Sequence, residues 1–150
     1  DLPVKVNATA QKLFNNSHED IANISLTYEN GMSAHIMVSW VEAQKERILK
    51  IVGTKKMLIF DDTSTSEKLK IIDKGVSYIK DDGDFGSFQL SVVDGDVYIP
   101  KIENHEPLQL ELDHFIECIT EQKRPLTDAF SALNVAKVLD QINKSVLRND

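Results

Sequence analysis

The spacing of apolar residues changes once along this chain, and that change constrains the fold more than any other feature. Up to about Pro100 apolar side chains recur at every second residue in short runs, the period of a strand with one covered face. Beyond it they recur at helical spacing. Strands first and helices last, with no regular alternation, argues against a doubly wound sheet. It predicts an α+β domain: a large, open, mainly antiparallel sheet with two C-terminal helices packed on one face.

Val4, Val6, Ala8 and Ala10 alternate with Lys5, Asn7, Thr9 and Gln11, and Ala22, Ile24, Leu26 and Tyr28 repeat the pattern. Glu29-Asn30-Gly31 supplies the positive-φ turn of a hairpin. The return strand, from about Met32 to Val41, carries Ala34, Ile36, Val38 and Trp40 on one face. Arg47–Val52 and Met57–Phe60 form a second hairpin across Gly53-Thr54-Lys55. Four shorter strands are expected at Leu69–Ile72, Ser77–Ile79, Phe88–Val92 and Val97–Ile99, with Gly75, Asp81-Asp82-Gly83-Asp84 and Asp94-Gly95 as turns between them. This region reads as an irregular excursion from the main sheet. Pro107 suits a first helical position, and Leu108, Leu112, Phe115, Ile116 and Ile119 continue a helix to about Gln122. A second helix opens at Thr127-Asp128 and aligns Ala129, Leu133, Ala136, Leu139, Ile142 and Val146.

A length of 150 residues suits one domain with its own core. A net charge of −7, with Lys and Arg scattered among acids, argues against nucleic acid as a partner. No apolar run is long enough to span a bilayer. The single cysteine, Cys118, has no partner for an internal disulfide, which favours a reducing, cytoplasmic setting. Asn-x-Ser/Thr triplets at Asn7, Asn15, Asn23 and Asn143 read as chance matches. Asp1-Leu2-Pro3 lacks an initiator Met and enters a strand pattern almost at once, the look of a cut edge. The second face of the long strands is mostly small and polar (Asn7, Thr9, Gln11, Asn23, Ser25, Thr27, Ser33, His35, Ser39, with Met37 among them), suited to water or to a hydrated partner sheet.

Few residues suggest chemistry by spacing alone. No Gly-rich strand-turn-helix motif is present to cradle a dinucleotide. Glu111 and His114 make one Glu-x-x-His pair, where a carboxylate-bridged metal site needs two, so a solvent-facing or capping histidine is the favoured reading. The run Asp81 to Asp84 lacks the alternation of a calcium loop. Cys118, read as having no nearby His in sequence and a hydrophobic setting, is expected to be a buried structural thiol rather than a nucleophile. No catalytic set of Ser, His and Asp can be assigned.

The ordered series of local patterns says more. Asn30-Gly31-Met32-Ser33-Ala34 leads to Val38-Ser39-Trp40, then to the run Arg47 through Val52, Gly53-Thr54-Lys55-Lys56, Met57 through Asp62, and Lys68 through Val76. Glu106-Pro107-Leu108, Glu111, His114-Phe115, Cys118-Ile119 and Arg124-Pro125-Leu126-Thr127-Asp128 follow. Together, from Pro3 to Ser145, these resemble the C-terminal domain of the Gfo/Idh/MocA (glucose-fructose oxidoreductase, inositol dehydrogenase, rhizopine catabolism) oxidoreductases, with members acting on sugars or nucleotide sugars nearest in look. The resemblance implies a fold like the C-terminal domains of dihydrodipicolinate reductase and glyceraldehyde-3-phosphate dehydrogenase. It also implies an N-terminal Rossmann domain, absent from this chain, that binds NAD or NADP.

On that resemblance, the lysine of a Glu-Lys-Pro motif and the histidine of an Asp-x-x-x-His helix lie upstream of residue 1. This chain would then hold no catalytic or cofactor-binding residue and would be inactive alone. Its expected roles are substrate binding and homo-oligomerisation through the polar sheet face. Trp40, Lys45 and Arg47 are the candidates for lining a sugar pocket, since an aromatic face and cationic donors suit sugars and phosphates. Trp40 equally continues the apolar strand face as a core residue, and Lys45 and Arg47 equally suit a solvated strand edge. Rival readings are a stand-alone interaction domain that uses the sheet without catalysis, and a different small-ligand module.

Overall fold

The computed structural model describes residues 1–14, 17–79, 89–103 and 105–149. The chain divides into two compact units, one built from Asp1–Ala43 with Glu106–Asp150 and the other from Gln44–His105.

In the first unit, β1 (Lys5–Gln11), β2 (Ile21–Thr27) and β3 (Ser33–Ser39) form an antiparallel sheet in sequence order. The register sets Val6 against Leu26 and Leu26 against Ala34, and likewise Ala8 against Ile24 and Ile24 against Ile36, so the apolar residues share one face. Ala8 and Leu26 are buried there. The β2–β3 turn forms as the sequence predicts. Gly31 has φ +83°, and the Tyr28 N–H donates to the Met32 carbonyl at 2.9 Å.

Two helices follow the strands, α1 (Pro107–Thr120) and α2 (Ala129–Asn149). The expected Pro107 opens α1, where its missing N–H costs nothing. Helix α1 ends two residues earlier than expected, and Gln122 takes φ 53° just beyond it. Asp128 starts α2 as expected, its Oδ1 accepting the Ser131 N–H at 2.9 Å. Helix α2 lies along β1, and Ser145 Oγ accepts the Ala8 N–H at 2.8 Å. Part of an edge strand is thereby shielded from pairing with other chains.

The half-buried residues of α2 include Val138, Ile142, Ser145 and Val146. Leu133, Ala136 and Leu139, aligned with Ile142 and Val146 by periodicity, are exposed instead. The apolar stripe of α1 is uncovered as well: Leu108, Leu112, Phe115, Ile116 and Ile119 are each at least half exposed.

The second unit is an antiparallel meander of β4 (Ile48–Val52), β5 (Met57–Asp61), β6 (Leu69–Ile79) and β7 (Gln89–Tyr98). The predicted β4–β5 hairpin forms, with the Gly53 N–H on the Lys56 carbonyl at 2.9 Å. Where four short strands and an irregular excursion are expected, two long strands run instead. Gly75 is not a turn but pairs with Val93 inside the ladder. Asp94-Gly95 is not a turn either: the register shifts by one residue between Ile72 and Lys74, a bulge that absorbs the apparent break. Gly95 lies against this bulge, where a Cβ would run into the carbonyl oxygen of Asp73. The expected turn at Asp81 to Asp84 lies outside the described residues.

Candidate substrate-contacting site

Three strand ends meet in the first unit at Asp20, which is only 8% exposed. Its N–H donates to the Gln11 carbonyl at 2.8 Å and its carbonyl accepts the Trp40 N–H at 2.9 Å, so its backbone extends both ladders by one rung. Its carboxylate turns back to the loop after β1, where Oδ2 accepts the N–H groups of Leu13 (2.8 Å) and Phe14 (3.1 Å). A buried carboxylate needs such donors, because burial without them costs several kcal/mol.

Beside Asp20 lies a shallow depression of about 310 Å³, lined by Glu19, Asp20, Ile21, Ala22, Val38, Ser39 and Trp40. Trp40 is 87% exposed and is therefore no core residue. The apolar face does not cover it because β3 is an edge strand in this unit, and that face is already open at Ile36 and Val38. An indole bordering a depression of small and apolar residues offers a flat apolar face with a polar N–H tip.

Lys45 and Arg47 belong to the second unit. Arg47 Nη1 is 3.5 Å from Asp62 Oδ2, both side chains being well exposed, and the Asp62 N–H donates to the Arg47 carbonyl at 3.0 Å. Asp61 beside it is engaged elsewhere. The hydroxyl (2.6 Å) and N–H (2.9 Å) of Thr63 on its Oδ1 hold its carboxyl below the ordinary value of 3.8. Lys45 is exposed and forms no ion pair among the described residues.

The polar face of the three-stranded sheet carries its residues in register, Asn7 opposite Ser25 and Ser25 opposite His35, with Ser25 Oγ 3.1 Å from His35 Nδ1. Asn7, Thr9, Asn23 and His35 are exposed there.

His114 is held by the α1–α2 connection. Its Nε2 accepts the Leu126 N–H at 3.2 Å and lies 3.5 Å from Cys118 Sγ. The expectation that Cys118 has no nearby His is thus corrected: the four-residue helical spacing sets His114 beside it. Cys118 is buried, 7% exposed. Among the described residues no group of three or more His, Cys, Asp or Glu side chains is placed to hold a metal ion. No described helix is long and apolar enough to cross a membrane.

The Gly53 turn leads into β5, not into a helix whose N-terminus faces a pyrophosphate.

Compared with known families, residues 2–149 match the Gfo/Idh/MocA family described as "Oxidoreductase family, C-terminal alpha/beta domain". None of the curated proteins compared with the chain matches it. Among solved structures, the UDP-N-acetylglucosamine 3-dehydrogenase GnnA of Acidithiobacillus ferrooxidans superposes with TM-score 0.72 at 20% identity, over 97% of this chain and 42% of that one. The aldose-aldose oxidoreductase of Caulobacter crescentus superposes with TM-score 0.68 at 17% identity, over 99% of this chain and 40% of the other. A third, described as a putative NADPH-dependent oxidoreductase from Desulfitobacterium hafniense, gives 0.68 at 18%, over 99% and 41%. The chain thus spans about two fifths of the solved chains it resembles. These likenesses bear on the fold, and the family match carries the assignment: the chain is a C-terminal α/β domain of the Gfo/Idh/MocA oxidoreductase family.

Proposed function

We propose that this chain is the substrate-binding and oligomerisation domain of an NAD(P)-dependent sugar oxidoreductase acting in the cytoplasm. Its two units form one functional domain beside an N-terminal Rossmann domain, which binds the cofactor. The observation that carries the reading is Trp40, an almost bare indole at a strand end beside a depression. Aromatic faces suit the apolar side of a sugar ring, and the exposed Lys45 suits a phosphate or hydroxyl. Arg47, already beside Asp62, is the weaker cation of the two. Relatives named for UDP-N-acetylglucosamine and for aldoses support sugars, nucleotide sugars among them, as the substrate class.

The uncovered apolar stripe of α1 supports a missing partner. Leu112, Phe115, Ile116 and Ile119 stand half exposed on one helix, a surface that soluble proteins ordinarily cover. Its occupant in this proposal is the Rossmann domain, since the related solved chains are more than twice as long as this one. The polar sheet face is then left for a second copy. The groups that take the carbinol proton belong to the parent's upstream half, so this chain alone binds sugar without turning it over.

The test is a pair of titrations monitored by the fluorescence of Trp40, the single tryptophan of the chain. UDP-N-acetylglucosamine should perturb Trp40, and NADH should not bind. Saturable NADH binding, with no response to sugar nucleotide or free aldose, would overturn the reading. Light scattering addresses the sheet face: a dimer or tetramer is expected, and a strict monomer at high concentration counts against oligomerisation through it.

A further inference from the structure

Asp20 is the buried charged residue of the described chain, and each of its polar links reaches a different stretch of sequence. The N–H reaches Gln11 at the end of β1, the carbonyl reaches Trp40 just past β3, and Oδ2 reaches Leu13 and Phe14 in the β1–β2 loop. The backbone bonds alone would be ordinary end rungs of two ladders, which fray readily. The carboxylate changes that. Charge-assisted bonds to N–H groups are stronger than neutral ones and fix the rotamer of the residue that makes them. The same residue lines the depression that Trp40 borders.

We infer that Asp20 is a positioning residue for Trp40: its carboxylate, anchored on the Leu13 and Phe14 N–H groups, holds the end of β2 and thereby fixes the strand end that presents the indole. The inference rests on the reading of Trp40 as a sugar-facing group for its functional meaning, but the mechanical link is separable from it. Side-chain deletion at Asp20 leaves the Trp40 N–H with an intact acceptor, the Asp20 carbonyl. An effect on exchange of the Trp40 N–H therefore travels through the backbone of residue 20.

The experiment compares wild type, Asp20→Ala and Asp20→Asn by amide hydrogen exchange and by time-resolved anisotropy of the single tryptophan. In Asp20→Ala the amides of Leu13, Phe14 and Trp40 should all exchange about tenfold faster or more, as expected for loss of a buried, charge-assisted bond. Central amides such as those of Ile24 and Leu26 should keep their protection, and the fast anisotropy component of Trp40 should grow. Asp20→Asn, which keeps an oxygen acceptor in place, should restore most of the protection and also serves if the alanine variant does not fold.

Faster exchange at Leu13 and Phe14 with Trp40 unchanged would overturn the inference and leave Asp20 as a loop cap. Titrating wild type with UDP-N-acetylglucosamine separates the two readings. A silent titration with coupled exchange sinks the sugar face and keeps the positioning role, whereas a responsive titration with uncoupled exchange does the reverse.

Discussion

Leu126 donates its backbone N–H to Nε2 of His114, 3.2 Å away and twelve residues earlier in the chain. This bond ties the α1–α2 connection to the body of α1, and it requires a ring whose Nε2 carries a lone pair. The other ring nitrogen, Nδ1, lies 3.9 Å from Glu117 Oε2. His114→Ala should lower unfolding stability by about 1 kcal/mol, the usual net worth of one such bond. The Leu126 amide should lose its exchange protection while α2, capped by Asp128, keeps its own. Chemical denaturation together with amide exchange checks both.

Asp128 couples the same connection to pH. The Ser131 N–H, and next the Arg124 guanidinium, hold its carboxyl below the ordinary value of 3.8. A carboxyl lowered in the folded state adds stability above its unfolded value, and that stability is lost as pH falls through the folded value. Asp128→Ala, which loses cap and ion pair together, should melt lowest at neutral pH. Asp128→Asn keeps the cap oxygen and should fall between it and wild type. The gap between wild type and Asp128→Asn should narrow as pH falls below the ordinary carboxylate value and the folded-state carboxyl takes up its proton. Thermal melts taken from neutral to acidic pH read this directly.

Two glycines should respond differently to substitution. Gly95 has no room for a Cβ, since the Asp73 carbonyl oxygen stands in its place at the β6–β7 bulge. The obstacle is backbone, so Gly95→Ala should cost about 1 to 3 kcal/mol, the range of overpacking. Gly31 has open space around it, and only its φ of +83° restricts what fits. Gly31→Asn should cost well under 1 kcal/mol, because Asn tolerates the left-handed region. Urea unfolding of the two variants, with equal slopes, should rank them in this order.

The elements that were legible in the sequence are those whose signals are local. Asn30-Gly31 and Gly53 each close a hairpin by backbone geometry that neighbouring residues cannot alter, and Pro107 and Asp128 mark helix starts by missing or capped N–H groups. The signals that failed are those settled by a distant partner. Gly75 and Asp94-Gly95 look like breaks until β6 and β7 pair and a bulge takes up the extra residue. Periodicity gives α2 a stripe through Leu133, Ala136 and Leu139, but the helix lies along β1 and covers Val138, Ile142 and Ser145. At the candidate site, alternation placed Trp40 on the apolar face and had no means of showing that this face is uncovered at its edge. Asp20 carries no periodic signal at all; its role appears only when Leu13, Phe14 and Trp40 meet around it.

Trp40 itself gives the sharpest separation between fold and function. A tryptophan buried in a core costs roughly 3 to 5 kcal/mol when cut to alanine, whereas a surface substitution stays within about 0.5 kcal/mol. At 87% exposure Trp40 belongs with the second group, so Trp40→Ala should leave the melting temperature nearly unchanged. If its indole is the sugar face, the same variant should weaken binding of UDP-N-acetylglucosamine by about tenfold, while Trp40→Phe, which keeps an aromatic plane, retains most of it. Calorimetric titration serves here, since the fluorophore is removed. Lys45→Ala tests the proposed cation separately: if Lys45 meets substrate, the variant should weaken the sugar nucleotide but not a free aldose, because only the former offers phosphates to an ammonium. A large loss of stability in Trp40→Ala would return the indole to the core, and unchanged binding in a stable Trp40→Ala would remove it from the substrate site.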